Sequence, residues 1–150
     1  MRKLVVVRHG NYGYNMRLDE SGHRQMLNLA ERMKPHLDGL SIRMLTSTAP
    51  RAVDSTDVLV VELKISDIDR QEVLWSDNEH RQDNHAALDL IKSESVGVDV
   101  LIVVTHLEYA EELPALFCEE VLGVRIERFR FAKGQGLIVS CEEKTAEVIS

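Results

Sequence analysis

The sequence predicts an α/β protein: a three-layer α/β/α sandwich with a mainly parallel sheet and an antiparallel hairpin at its C-terminal edge. Two apolar runs carry that prediction, Val5-Val6-Val7 and Leu101-Ile102-Val103-Val104. Neither alternates apolar with polar residues, so both read as strands covered on both faces, as in parallel sheets. Segments of helical spacing fall between and after them, in the order strand, helix, strand, helix, helix, strand, helix. The tail then changes character. Residues 125–132 and 137–141 are strand-like around Lys133-Gly134-Gln135-Gly136, a pattern that predicts a hairpin with a four-residue turn.

In chain order, the first strand precedes a loop that runs from Asn11 to Leu18 and holds Tyr12 and Tyr14. These tyrosines read as loop aromatics half packed on the surface. Asp19 is a good N-cap, with Glu20 in the positive first turn. Met26, Ala30, Met33 and Leu37 follow at helical spacing, and Pro35 is expected to end or bend that helix. Residues 42–46 form a second strand. Pro50 suits the first turn of a second helix, capped by Ser47 or Thr48, with Ala52, Val53, Thr56, Val60 and Leu63 on its apolar face. Arg51 falls in that first turn. A short strand is expected near residues 71–74. A third helix is expected from Asn84, with Ala87, Leu88 and Ile91 inward. After the strand over 99–104, residues 108–122 are helical in period, with Pro114 at a start or a kink and Gly123 as the C-terminal cap. Residues 146–149 add a last edge segment.

The 150 residues suit one domain, residues 1–150, and an apolar content of 44% supplies a core. A net charge of −7 argues against nucleic acid or an anionic membrane as partner, so any anion site must come from a local cluster of cations. Cys118 and Cys141 are too few for a disulfide framework and read as inert buried thiols. Charge returns at Arg8 before any long apolar run, and no stretch is long enough to cross a bilayer, so a cytoplasmic protein is expected.

The first strand runs straight into Arg8-His9-Gly10. Ligands of open parallel sheets collect where strands end at the carboxyl edge, and glycine there admits a close approach. A phosphoryl group in transfer needs positive donors around its oxygens and a nucleophile in line with the leaving group. Arg8 and Arg51 suit the first need, since a guanidinium presents a planar fork to phosphate oxygens. His9 suits the second, because neutral imidazole keeps a lone pair near pH 7.

Arg8-His9-Gly10 with Asn15 resembles the opening motif of the histidine phosphatase superfamily, the phosphoglycerate-mutase-like proteins. Ser47-Thr48-Ala49-Pro50-Arg51-Ala52 resembles its arginine-bearing second segment, and Leu18 through Gly22 with Gln25 the stretch after the first motif. Val103-Val104-Thr105-His106 resembles the strand end that delivers its second histidine. The segments occur in family order over residues 1 to about 125. His106-Leu107, where many members have glycine after the histidine, looks like the short phosphohistidine phosphatases.

This resemblance implies a phosphohistidine intermediate on His9, with one ring nitrogen tied to a backbone carbonyl. It implies phosphate binding by Arg8, Asn15, Arg51 and His106. It also implies an acid that protonates the leaving group, two residues after the leucine in Leu74-Trp75-Ser76-Asp77-Asn78-Glu79-His80. That position is Ser76, so Asp77 is the first choice of acid and Glu79 the second. Asn11 departs too, from an acidic or small residue. The expected function is a metal-independent phosphatase acting on protein phosphohistidine or a small phosphate monoester, with no cofactor. The alternatives are phosphoglycerate-mutase-type transfer, disfavoured because residues 63–84 are too few for a large lid, and a non-catalytic phosphate or phosphoprotein-binding module. His80 and His85 stand five apart, not the four that a zinc helix uses, so no metal is expected.

Overall fold

Val5, Val6 and Val7 lie near the middle of a six-stranded sheet in the computed structural model, which describes residues 1–149. The strands are β1 (Lys3–Arg8), β2 (Ile42–Thr46), β3 (Ile68–Arg70), β4 (Val100–Thr105), β5 (Gly136–Ser140) and β6 (Thr145–Ile149). Their spatial order is β3-β2-β4-β1-β5-β6. The first four strands run parallel, and β5 and β6 form the antiparallel edge. Four helices connect them: α1 (Glu20–Leu37), α2 (Pro50–Leu63), α3 (Asn84–Glu94) and α4 (Leu107–Phe117).

The pleat sorts the strand residues into two cores. Val5, Val7, Ile102 and Val104 pack against Met26, Ala30 and Met33 of α1 and Ala52 and Leu59 of α2. Leu4, Val6, Leu101 and Val103 pack on the other face against Leu88 and Ile91 of α3 and Tyr109, Leu113 and Phe117 of α4. This two-sided burial is why the central strands carry no polar alternation. No helix among the described residues is long and apolar enough to cross a membrane.

Asp19 caps α1 as expected, accepting from the Gly22 N–H. Several details differ from the sequence reading. Pro35 lies inside the last turn of α1, which ends two residues later at Leu37. The N-cap of α2 is Ala49; Ser47 instead accepts from the Ala49 N–H and turns its hydroxyl toward His106. Asp83, not Asn84, caps α3 by accepting from the Ala86 N–H. The strand expected near 71–74 comes earlier, at Ile68–Arg70, and Glu72–Leu74 is a single 3₁₀ turn. The last helix is α-helical to Phe117, with Pro114 inside it. It continues as a π turn, Cys118–Leu122, closed by Gly123 at φ 70°.

The largest correction is the hairpin. It forms from β5 and β6 rather than from 125–132 and 137–141. Residues 124–132 pair with no strand, because β1 is already flanked by β4 and β5, and β5 by β6. Their apolar side chains, Val124, Ile126, Phe129 and Phe131, pack instead on the α3–α4 side of the core. Cys118 is a buried free thiol and Cys141 a half-buried one.

Candidate active site

Strand register assembles the site. Arg8 ends β1 opposite Thr105 of β4, and the His9 N–H extends the ladder to the Thr105 carbonyl at 3.1 Å. On the other side of β4, the Ser47 N–H reaches the Val104 carbonyl at 3.0 Å. Three neighbouring carboxyl ends thus deliver Arg8-His9, His106 and Ser47 to one edge, and the first turn of α2 adds Arg51. The turn before β5 locks the motif from behind: the Gly134 N–H donates to the carbonyls of Arg8 and His9, at 3.1 and 3.0 Å.

Glycine is required at two positions behind His9, Gly10 in the loop and Gly22 in the first turn of α1. A Cβ on Gly22 would lie 2.1 Å from the Asn11 carbonyl oxygen, and one on Gly10 would lie 2.9 Å from the Gly22 carbonyl oxygen. The first turn of α1 therefore presses directly on the backbone that follows His9. Ser55 of α2 completes the support, accepting from the Gly10 N–H at 3.0 Å and donating to the Arg51 carbonyl at 2.8 Å.

The two imidazoles meet edge to face, with ring centroids 5.0 Å apart. His9 Nδ1 lies 2.9 Å from the Gly10 carbonyl oxygen. A carbonyl only accepts, so Nδ1 carries the proton and Nε2 keeps its lone pair. His106 has the opposite tautomer by the same logic. Arg51 Nη2, which only donates, stands 3.5 Å from His106 Nδ1, so Nε2 bears the proton toward Ser47 Oγ at 2.8 Å. Burial lowers His9 to about 4, reinforced by Arg51, Arg8 and Lys133 and opposed by the Gly10 bond. Burial, His9 and Arg51 lower His106 to about 3. Both rings are neutral near pH 7.

Arg51 is buried, and its Nε and Nη1 have no hydrogen-bond partner among the described residues. Arg8 gives Nη1 to the Phe131 carbonyl at 2.8 Å, while its buried Nε is likewise unpaired. Unpaired buried N–H groups are costly, and these converge beside His9, so they fit an anion rich in acceptor oxygens.

Asp77 reaches the same site, with Oδ2 3.8 Å from Arg51 Nη2. It is held as an anion. Burial raises its carboxyl, but bonds from the His80 ring, the N–H groups of Glu79 and His80, and the Trp75 indole outweigh this and hold it well below the usual carboxylate range. A general acid at neutral pH needs the opposite displacement, so this geometry does not suit Asp77 to the proton-donor role that the resemblance implied. Glu79 is exposed and offers Asp77 its N–H. Ser76 is buried and donates to Glu108 Oε2 at 2.8 Å.

Arg8, His9, Arg51 and His106 are therefore brought together, with Asp77 beside them. Asn15 is not: it is exposed, and its Oδ1 accepts from the Arg17 N–H. His85 lies on α3 against Asp89, away from His80. Tyr12, read as a surface aromatic, is a site residue. Its ring lies 5.4 Å from that of His9, with Arg51 and Lys133 each 4.8 Å from its centroid. Ser47, Trp75, His80 and Lys133 were also missed. For His80 a signal existed: aspartate three residues before it is the pattern of a side chain that caps the following N–H groups. A concavity of about 710 Å³ lies at the opposite sheet edge among Lys34, Ile42, Leu63 and Lys64, and no histidine lines it.

No protein-family model matches the chain, and no curated protein matches it. Solved structures do. A protein histidine phosphatase SixA complexed with tungstate aligns at TM-score 0.79 and 17% identity, covering 97% of this chain and 93% of that one. A phosphoserine phosphatase mutant from Entamoeba histolytica, in complex with phosphoserine, aligns at 0.67 and 13% identity, over 100% of this chain and 96% of that one. A phosphoglycerate mutase from Plasmodium falciparum aligns at 0.67 and 13% identity, over 99% and 88%. The fold of this chain is that of the phosphoglycerate-mutase-like histidine phosphatases.

Proposed function

We propose that this chain is a metal-independent phosphatase that transfers a phosphoryl group to His9 and then to water. The carrying observation is the bond from His9 Nδ1 to the Gly10 carbonyl, which leaves Nε2 unprotonated beside the unpaired donors of Arg51 and Arg8. Nε2 attacks phosphorus as the bond to the leaving group breaks. The two guanidinium groups meet the charge on the phosphoryl oxygens, and His106 steadies Arg51 through its Nδ1. Water then attacks the phosphohistidine, and the electron pair of the P–N bond returns to Nε2.

The substrate we propose is phosphohistidine on a protein. The residues between α2 and α3 form only a three-residue strand, one 3₁₀ turn and a short loop, which leaves the approach open to a side chain on a folded partner. The likeness to a protein histidine phosphatase points the same way. Imidazole also departs from phosphorus more readily than an alkoxide. A panel of phosphohistidine peptides, aryl phosphates and alkyl phosphates tests the reading. Phosphohistidine is expected to give the highest kcat/KM, without loss in the presence of a chelator. Phosphate binding without turnover of any member would overturn it in favour of a binding module.

A further inference from the structure

Asp77 spends its acceptor capacity on one purpose. Its Oδ1 takes the Glu79 N–H at 2.8 Å, the His80 N–H at 2.8 Å and His80 Nδ1 at 2.9 Å. Its Oδ2 takes the Trp75 indole at 2.7 Å and faces Arg51 Nη2 at 3.8 Å. The His80 ring stacks on Trp75 with centroids 3.8 Å apart and planes 7° apart. Trp75 in turn lies nearly parallel to His106, at 6.4 Å. An imidazole that gives Nδ1–H to a fixed carboxylate is set in one tautomer and orientation. With Nδ1–H engaged, Nε2 is the ring nitrogen left to exchange a proton with another group. The His80 ring thus stands one carboxylate, Asp77, away from the guanidinium assigned to the phosphoryl group.

We propose that His80 is the proton donor to the leaving group and that Asp77 is its positioning partner. The proposal rests on the phosphatase reading above and extends its substrate class to alkyl phosphate esters. As His9 Nε2 bonds to phosphorus, the P–O bond breaks, its electron pair stays on oxygen, and that oxygen takes the proton from His80 Nε2. In the second half, neutral His80 takes a proton from water as the hydroxide oxygen bonds to phosphorus and the P–N bond breaks. One ester and one water give one alcohol and one hydrogen phosphate, and both histidines return to their starting states.

The test compares leaving groups in the full chain. His80→Gln should slow hydrolysis of an alkyl phosphate by about 10²–10⁴-fold while costing an aryl phosphate, whose leaving group needs little help, less than about 10-fold. Asp77→Asn should share that selectivity, and Glu79→Gln and Glu108→Gln should not. The aryl rate and the yield of phosphoenzyme from aryl phosphate report whether each variant is folded and competent. Equal losses of His80→Gln on both esters overturn the proposal, as does an alkyl-specific loss that falls on Glu108→Gln instead. A wild-type chain that hydrolyses aryl but not alkyl phosphates overturns it as well. If the wild-type chain forms no phosphoenzyme from any substrate, the phosphatase reading itself fails and takes this proposal with it.

Discussion

The two sides of the site are built by different means. On the nucleophile side, two neighbouring backbone segments, through the Thr105 carbonyl and the Gly134 N–H, and the Ser55 hydroxyl hold the backbone of Arg8, His9 and Gly10. On the facing side, Trp75, Asp77 and His80 belong to no strand or helix; a single backbone turn from the Asp77 N–H to the His80 carbonyl, side-chain bonds and one aromatic stack hold them. A sheet edge can set an attacking nitrogen within tenths of an ångström, because moving it breaks the ladder. A side-chain cluster is adjustable residue by residue. Damage on the first side should therefore be severe for every substrate, and damage on the second graded and dependent on the leaving group.

Removing the nucleophile is the largest test of that contrast. His9→Ala should cut turnover of all substrates by on the order of 10⁶-fold, the scale found when a covalent nucleophile is lost. Its unfolding midpoint in urea should stay near that of the wild type, because His9 lies outside both apolar cores. A substrate that survives this substitution would break the comparison.

Acid stability comes next. His9 moves from its ordinary 6.5 to about 4 on folding, so between these values the unfolded chain binds a proton that the native chain refuses. The unfolding free energy is then full above pH 6.5 and falls as the pH drops toward 4, by about 3 kcal/mol from His9 alone. His106 adds a loss of the same sign. Urea titrations across this range check it, and His9→Ala should flatten the dependence. A wild-type stability that is level from pH 6.5 to 4 would mean that the imidazoles are not neutralised by the fold.

Gly22→Ala places a methyl group against the Asn11 carbonyl. It should cost roughly 1–3 kcal/mol in urea unfolding. It should also lower kcat for good and poor leaving groups alike, since the strain falls on the backbone behind His9. On the facing side, Trp75→Phe keeps an aromatic face for His80 but removes one donor to Asp77. Net, this is about 1 kcal/mol, and a several-fold decline confined to alkyl phosphates is expected. A uniform decline would place Trp75 on the nucleophile side of the comparison.

The same contrast governs what was legible in the sequence. Val5-Val6-Val7 and Leu101-Ile102-Val103-Val104 announce strands covered on both faces, and the residues just past such strands fall at the carboxyl edge, so His9 and His106 could be placed together. Pro50 placed Arg51 in a first helical turn, and the resemblance of Ser47 through Ala52 to a known segment supplied its role. The segment over 125–132 misled because its apolar residues have a real burial role, on a helical face rather than in a ladder. Local alternation does not report which strand edges are already occupied. The role of Tyr12 depends on Arg51 and Lys133, distant in sequence, converging on one ring. Asp77 was read as an acid from its position, whereas its state is set by donors that only the folded loop supplies.

The proposed mechanism stands on a covalent bond between phosphorus and His9 Nε2. Mixing the wild-type chain with an aryl phosphate or a phosphohistidine peptide, quenching at alkaline pH where phosphohistidine survives, and mapping the phosphate by mass spectrometry and ³¹P–¹H NMR tests it most directly. One phosphate per chain is expected, on Nε2 of His9, absent from His9→Ala and still present in His80→Gln. Phosphate on Nδ1, on His106 or on His80, or turnover with no covalent phosphate at any time, would contradict it.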